Sequence, residues 1–117
     1  MKQLFEKTKI NQIELKNRFV RSATWEGLAK PDGSCRDEII EMMVILAKSQ
    51  AGLIIISHTF VNQACRAYIG QLGIYIYNDF LIDSYRKMIE KVHDEASKII
   101  LQITHVGGKA MIESKDR

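Results

Sequence analysis

Residues 39–56 read Ile-Ile-Glu-Met-Met-Val-Ile-Leu-Ala-Lys-Ser-Gln-Ala-Gly-Leu-Ile-Ile-Ile, and this stretch decides the fold. Its first part repeats apolar residues at the spacing of one buried helix face, namely Ile39, Ile40, Met43, Leu46 and Ala47. Past Gly52 the chain is purely apolar over residues 53–56, which is typical of a parallel strand covered on both faces. A helix that leads directly into a buried strand predicts an α/β protein with a parallel sheet.

The same alternation extends to both sides of this stretch. Upstream, residues 8–16 predict a small hairpin, residues 19–23 a first strand, and Ser34 a helix N-cap. Downstream, Asn78 or Asp79 is expected to cap a second helix, and residues 99–103 form a third strand. The apolar face of that second helix comprises Leu81, Tyr85, Met88, Ile89, Val92 and Ala96. The predicted order is hairpin, β, α, β, α, β, within a single domain over residues 1–117.

Polar or small residues stand where each predicted strand ends. They are Ser22, Ala23 and Thr24 in the first strand, Ser57, His58 and Thr59 in the second, and Gln102, Thr104 and His105 in the third. Because ligands of parallel α/β proteins bind at the carboxyl ends of the strands, these residues are expected to line one cavity. Gln102 interrupts an apolar strand, so we expect a buried amide that pairs either with a ligand or with neighbouring backbone.

The aromatic and imidazole side chains leave more than one interpretation open. His58 and His105 suit general acid–base groups, metal ligands or ordinary loop residues, but no acidic residue or cysteine stands at ligand spacing, so no metal is expected. Trp25 follows the first strand and suits either packing or stacking on a bound ring. Neither a Walker-type phosphate loop nor a Gly-x-Gly-x-x-Gly motif is present, which disfavours a Rossmann domain.

Composition narrows the classes of partner. The formal charge is +3, and the basic residues are scattered, so no nucleic-acid partner is expected. No apolar run is long enough to span a bilayer, and no signal peptide is recognisable, which gives the expectation of a cytoplasmic protein without a membrane partner. The two cysteines, Cys35 and Cys65, are expected to be free thiols.

Several segments in this order resemble the Old Yellow Enzyme (NADH:flavin oxidoreductase) family. They are Leu4-Phe5, Leu15-Lys16-Asn17-Arg18-Phe19-Val20, Ala51-Gly52-Leu53-Ile54-Ile55-Ile56 and Gln102-Ile103-Thr104-His105-Val106-Gly107. The resemblance covers residues 4–110 and implies the β-α-β-α-β part, at the N-terminal end, of a (β/α)8 TIM barrel that binds FMN. It also implies hydride transfer from NADH or NADPH, through the flavin, to an activated alkene or related small-molecule substrate.

The resemblance assigns roles to individual positions. Ser22, Ala23, Thr24, His58 and Gln102 fall where the family contacts FMN, and Trp25 and His105 fall at the substrate pocket. The sequence departs from the family pattern at four positions: Ala23 replaces Pro, Trp25 stands where some members have Cys, His58 is bulkier than usual, and Gly108 replaces Arg. These departures concern the substrate pocket more than the fold.

A barrel of this type needs about 250 residues, so 117 residues supply only its beginning. The catalytic residues, and any iron–sulfur cluster, are therefore expected beyond residue 117. Exposed strand edges favour a homo-oligomer. Two other interpretations stay open: a non-catalytic fragment that acts as a self-associating or interaction module, and a flavodoxin-like domain, for which the strand count is too low.

Overall fold

A computed structural model describes residues 3–74 and 79–110 of the chain. The strands are β1 (Thr8–Ile10), β2 (Ile13–Leu15), β3 (Val20–Arg21), β4 (Leu53–Phe60) and β5 (Lys98–Thr104). The helices are α1 (Asp37–Lys48) and α2 (Asp79–Asp94), with short 3-10 turns at Gln63–Cys65 and Gly107–Lys109. The predicted element order is confirmed. In these ranges, no helix is long and apolar enough to cross a membrane.

The sheet is parallel, as the continuous apolar run at residues 53–56 predicts. β1 and β2 form a separate antiparallel hairpin, while the main sheet has the order β3-β4-β5. Val20 lies opposite Leu53, and Leu53 lies opposite Lys98, so the three strands start at the same level. Parallel strands joined by helices are the repeating unit of α/β folds. The predicted α/β class with a parallel sheet is therefore confirmed.

Both helices pack on one face of this sheet. Apolar side chains at helical spacing meet the alternate side chains of β4, and the resulting core includes Ile39, Met43, Ala47, Ile54, Ile56, Met88 and Val92. On the other face, Ile100 and Gln102 of β5 are exposed, and so is Val20 of β3. This alternation follows from the two-residue period of a strand. The sheet therefore has a covered face and an open face among the described residues.

The prediction for the start of α1 is wrong, and only half of the prediction for α2 falls on described residues. Ser34 does not cap α1, since Arg36 occupies that position without a side-chain bond; instead the Ser34 hydroxyl donates to Asp32 Oδ1 at 2.7 Å. The Ser34 backbone N–H also donates to Asp32 Oδ1, at 2.9 Å, and this bond together with the hydroxyl bond lowers the pKa of the Asp32 carboxyl. Asp79 lies inside the first turn of α2 and is not its cap, and Asn78 lies outside the described residues.

Both cysteines are buried free thiols, as expected. Cys35 lies just before α1, where its backbone N–H donates to the Ser84 hydroxyl of α2 at 3.3 Å. Burial raises the pKa of the Cys35 thiol to about 11, because a thiolate loses its hydration there. Cys35 is therefore a packing residue that links the two helices.

Lys16 ties the carboxyl ends of both helices to the hairpin. Its Nζ donates to the carbonyl of Ala47 at 3.1 Å and to that of Glu95 at 2.8 Å. Ala47 belongs to the last turn of α1, and Glu95 follows α2 directly. Helix carboxyl ends carry unpaired carbonyls and a partial negative charge, so an ammonium group there is stabilising.

Replacing Lys16 with methionine is expected to lower the free energy of unfolding by about 1.5–3 kcal/mol, the usual contribution of hydrogen bonds to a charged group. Methionine keeps most of the apolar stem and removes only the ammonium donor. Urea unfolding measures the loss, with Lys9→Met as the control, because Lys9 is an exposed hairpin lysine. Equal urea midpoints for the two variants would contradict the role of Lys16.

Candidate functional site

The three strand ends lie side by side at the carboxyl edge of the sheet. Arg21 pairs with Ile54, so the following Ser22 continues to the level of Ile55; Ile56 pairs with Leu101, just before Gln102. Ile55 also pairs with Ile100, so Ser22 is level with Ile100, and Gln102 lies two residues, or about 7 Å, further along the outer strand. The structure therefore brings the polar ends of the first and third strands to one edge.

A β-bulge interrupts the pairing of β4 with β5 at this edge. Ile56 pairs with Leu101 and Thr59 with Ile103, so Ser57 and His58 together lie opposite the single residue Gln102. Bulges often occur next to active sites, because the extra residue redirects neighbouring side chains. The sequence prediction placed Ser57, His58 and Thr59 after the end of the second strand, whereas β4 continues through them to Phe60. The bulge brings His58 and Gln102 together.

Gln102 is exposed, so the expectation of a buried amide is wrong. It lies on the open face of β5, where no described residue packs over it. Its side-chain amide makes no hydrogen bond within residues 3–74 and 79–110. An amide carries two donors and an acceptor, and the exposed Gln102 side chain has none of them paired within the described residues.

The first strand end is a short polar segment over residues 22–25. Ser22 and Thr24 are exposed and Ala23 is half-buried. The Thr24 hydroxyl donates to the Ser22 carbonyl at 3.2 Å, which folds the segment back on itself. Hydroxyls and backbone groups at this edge give a donor and acceptor set suited to a flat heteroaromatic ring.

An ion pair that the sequence did not reveal lies beneath this segment. Arg21 Nη1 lies 2.8 Å from Glu26 Oε1, and the two side chains are 17% and 2% exposed. The same guanidinium donates to the carbonyl of Ile55 at 3.2 Å and to that of Thr24 at 3.4 Å. The Arg21 guanidinium therefore joins the two ends of the segment and also links the segment to β4.

Trp25 stacks against Tyr68, a residue that sequence reasoning also missed. Their ring centroids are 5.7 Å apart at a 48° tilt, and the two residues are 51% and 53% exposed. The loops that hold them are joined where Ala29 N–H donates to Gly70 O at 3.0 Å. An aromatic pair brought together by two loops is a product of tertiary structure, and no spacing in the sequence indicates it.

The two histidines have different surroundings. His58 is half-buried in the bulge, and its carbonyl accepts from Gln71 Nε2 at 3.4 Å. His105 lies past β5, exposed, with its Nδ1 accepting from Gly107 N–H at 3.0 Å. Within the described ranges, no three histidine, cysteine or acidic residues converge as a metal site would require.

A cleft between α1 and α2 lies on the helix layer, away from the strand ends. It measures about 360 Å³ and runs along α1 from Ile40 to Lys48, beside Asp94 and Glu95. These lining residues belong to the helices or directly follow α2. Ligands of parallel sheets bind at the carboxyl ends of the strands, so the bulged edge is the better candidate.

Fold and site together define the class: a parallel α/β protein with a polar, bulged edge at the carboxyl ends of its strands, where such proteins bind ligands. The chain belongs to the NADH:flavin oxidoreductase / NADH oxidase family, whose sequence profile matches residues 3–117. Among curated relatives, it is 33% identical to NADPH dehydrogenase of Bacillus subtilis over 113 residues, covering 96% of this chain and 33% of that protein. For NADPH dehydrogenase of Listeria monocytogenes the identity is 28% with the same coverage.

Solved structures give the same family. The Old Yellow Enzyme from Pichia sp. superposes with a TM-score of 0.84 at 30% identity, over 92% of this chain and 27% of that one. The old yellow enzyme from Trypanosoma cruzi gives 0.78 at 28% identity, over 92% and 28%. The resemblance inferred from sequence is therefore confirmed. The chain spans about a third of the length of the curated relatives it matches.

Proposed function

We propose that this chain is the first part of an FMN-dependent oxidoreductase built on a (β/α)8 barrel. In this proposal the whole protein takes hydride from NADH or NADPH and passes it to an activated alkene or a related small acceptor. Residues 1–117 then form one incomplete domain, and the groups that protonate or anchor the substrate lie further along the barrel. Support comes from the family membership and from the parallel β-α-β-α-β order.

One observation carries the assignment of the cofactor edge. The Gln102 amide is exposed and without a hydrogen bond among the described residues, directly opposite the bulge that holds Ser57 and His58. The exposed amide offers two donors and one acceptor, none of which is taken by a described residue. The pyrimidine-like part of a flavin offers alternating donors and acceptors, which match an amide.

The residues of this edge fit FMN by their chemistry. When bound, the flavin supplies the acceptance and delivery of hydride. In the proposal, Gln102 binds and orients the ring, while Ser22, Ala23 and Thr24 provide backbone and hydroxyl contacts from the neighbouring strand end. His58 lies beside Gln102 and borders the ring. The protein's part is binding, orientation and electrostatic tuning, since the cofactor carries the chemistry.

Trp25 and His105 remain proposed substrate-pocket residues, and Tyr68 joins them. The Trp25–Tyr68 pair presents half-exposed rings next to the Ser22–Thr24 segment, which suits a planar, conjugated acceptor. His105 extends from the end of β5 on the same edge. Gly108 carries no side chain near this point, so Lys109 is the nearest cation of the third strand end.

The first test is FMN titration of the chain, followed by size-exclusion chromatography with detection in the visible range. We expect flavin to elute with the protein and its fluorescence to be quenched.

Gln102→Ala is expected to weaken FMN binding roughly 5–100-fold, the effect of one lost hydrogen bond in a buried contact. Gln12→Ala is the control, since Gln12 is exposed in the hairpin turn. Equal affinities for the two variants would count against the assignment of Gln102.

A second candidate function is self-association without catalysis. Among the described residues, no strand pairs with the outer edge of β5, and Ile100 and Ile103 are 40% and 64% exposed. Open strand edges with apolar side chains favour pairing with another copy. The same chromatography separates the alternatives: an oligomer that takes up no flavin favours the module, whereas co-eluting flavin favours the enzyme.

A further inference from the structure

One ion pair closes the ends of the segment that the proposed function places against FMN. Arg21 is the last residue of β3, and Glu26 comes directly after Trp25. Their side chains meet at 2.8 Å, so the intervening residues 22–25 form a loop held at both ends. Neither the family profile nor the strand pattern assigns a role to this pair.

The surroundings of Arg21 make the contact unusually constraining. The Glu26 carboxylate is 2% exposed, and the guanidinium donates to three oxygens, those of Glu26, Ile55 and Thr24. The planar fork of arginine can satisfy several acceptors in fixed directions, which an ammonium group cannot do. The contacts to Ile55 and Thr24 fix the segment relative to β4, where the bulge begins.

We propose that Arg21 and Glu26 are positioning residues, whose ion pair holds residues 22–25 in the conformation that contacts FMN and places Trp25 against Tyr68. This inference rests on the proposed function. A buried ion pair usually contributes little more stability than an apolar pair of similar volume. The distinct contribution of this pair is geometric, because it joins both ends of the segment and the neighbouring strand at once.

Trp25 reports on the segment without any cofactor, since it is the single tryptophan of the chain. The decisive variant is Arg21→Met with Glu26→Leu, which replaces the ion pair by apolar side chains. We expect acrylamide to quench Trp25 about twice as efficiently in this variant, and FMN to bind about tenfold more weakly. The control is Arg86→Met with Asp83→Leu, the same exchange at an exposed ion pair on α2.

The two measurements also separate this inference from the proposed function. Trp25 quenching and FMN affinity that both match the wild type, in a double variant with an intact urea transition, overturn the positioning role. If the wild-type chain takes up no FMN, the proposed function fails, and Trp25 quenching alone then decides whether the pair holds the segment. Should the double variant lose its unfolding transition, Glu26→Gln is scored by the same two measurements, because it keeps the side-chain shape.

Discussion

Replacement of Phe60 by alanine is expected to lower the free energy of unfolding by about 3–5 kcal/mol, the usual cost of removing a buried phenyl ring. Phe60 ends β4 and is completely buried. Its ring fits against Gly33 and Gly73: a Cβ added to either glycine would lie 2.9 Å or 2.5 Å from the ring. The Arg66 guanidinium lies over the ring at 5.3 Å from its centroid. The loops after β3 and β4 therefore share this ring as a common contact.

Urea unfolding measures the effect, and Phe60→Leu is the matched variant. Leucine retains much of the apolar volume, so its loss should be less than half that of alanine. A loss below about 1 kcal/mol for Phe60→Ala would mean that the loops hold together without the ring. Because the stability of small domains is only about 5–15 kcal/mol, the leucine variant also guards against complete unfolding of the alanine variant.

Replacement of Gly70 by alanine is expected to cost about 2–5 kcal/mol, from backbone strain of about 1–3 kcal/mol and from the displacement of a neighbouring loop. Gly70 has a φ of +89°, and a Cβ there would lie 2.5 Å from the Gly27 carbonyl oxygen. Both sides of that contact are backbone, so neither can move by a simple rotamer change. The contact joins the loops that carry Trp25 and Tyr68.

Two other glycines separate the causes of this loss. Gly107 has a φ of +55° and Gly108 has no positive φ, and a Cβ on either would meet no atom of the described residues within 4 Å. Gly107→Ala therefore measures the conformational cost alone, and Gly108→Ala is expected to be neutral. If Gly70→Ala costs no more than Gly107→Ala in urea unfolding, the close approach of the loops does not contribute.

A Gly70 substitution should also change the geometry of the proposed site. Moving the Gly27 loop away from Gly70 separates Trp25 from Tyr68, since these residues flank the contact in sequence. The emission of Trp25 then shows whether the aromatic pair has opened. Stability and site geometry thus depend on the same loop–loop contact, which is common where binding residues lie on loops held by a rigid sheet.

Residues 39–56 were sufficient to predict the α/β class and the parallel sheet. A helix with one apolar face, followed by an unbroken apolar strand, fits few fold classes. A helix packed on a parallel sheet buries the apolar face of the helix and the apolar side chains of the strand together. The family was also recognisable from sequence, through segments around Asn17, Gly52 and Gln102. The starts of the second and third strands were located to within one residue, whereas the end of the second strand was not, since β4 continues to Phe60.

Other features needed the tertiary structure. The length of β4, the exposure of Gln102 and the Ser34–Asp32 contact differ from the sequence predictions. The length of β4 and the exposure of Gln102 depend on which segments pack against each other across the fold, and local propensity carries no information about that packing. The Ser34–Asp32 contact is local, and it competes with the helix cap for the same hydroxyl. The Ser34 hydroxyl donates to the Asp32 carboxylate, and β4 continues to Phe60 because Thr59 and Phe60 pair with β5 past the bulge.

The sequence by itself determined the class of fold, the order of its elements and the family, since all three depend on local periodicity and on motifs along the chain. Only the tertiary structure decided that Ser57 and His58 share one partner in Gln102, that Arg21 closes a loop with Glu26, and that Trp25 meets Tyr68. The reason is physical. Register, ion pairing and ring contacts are set by the packing of separate segments against one another, and that packing is a property of the folded chain as a whole.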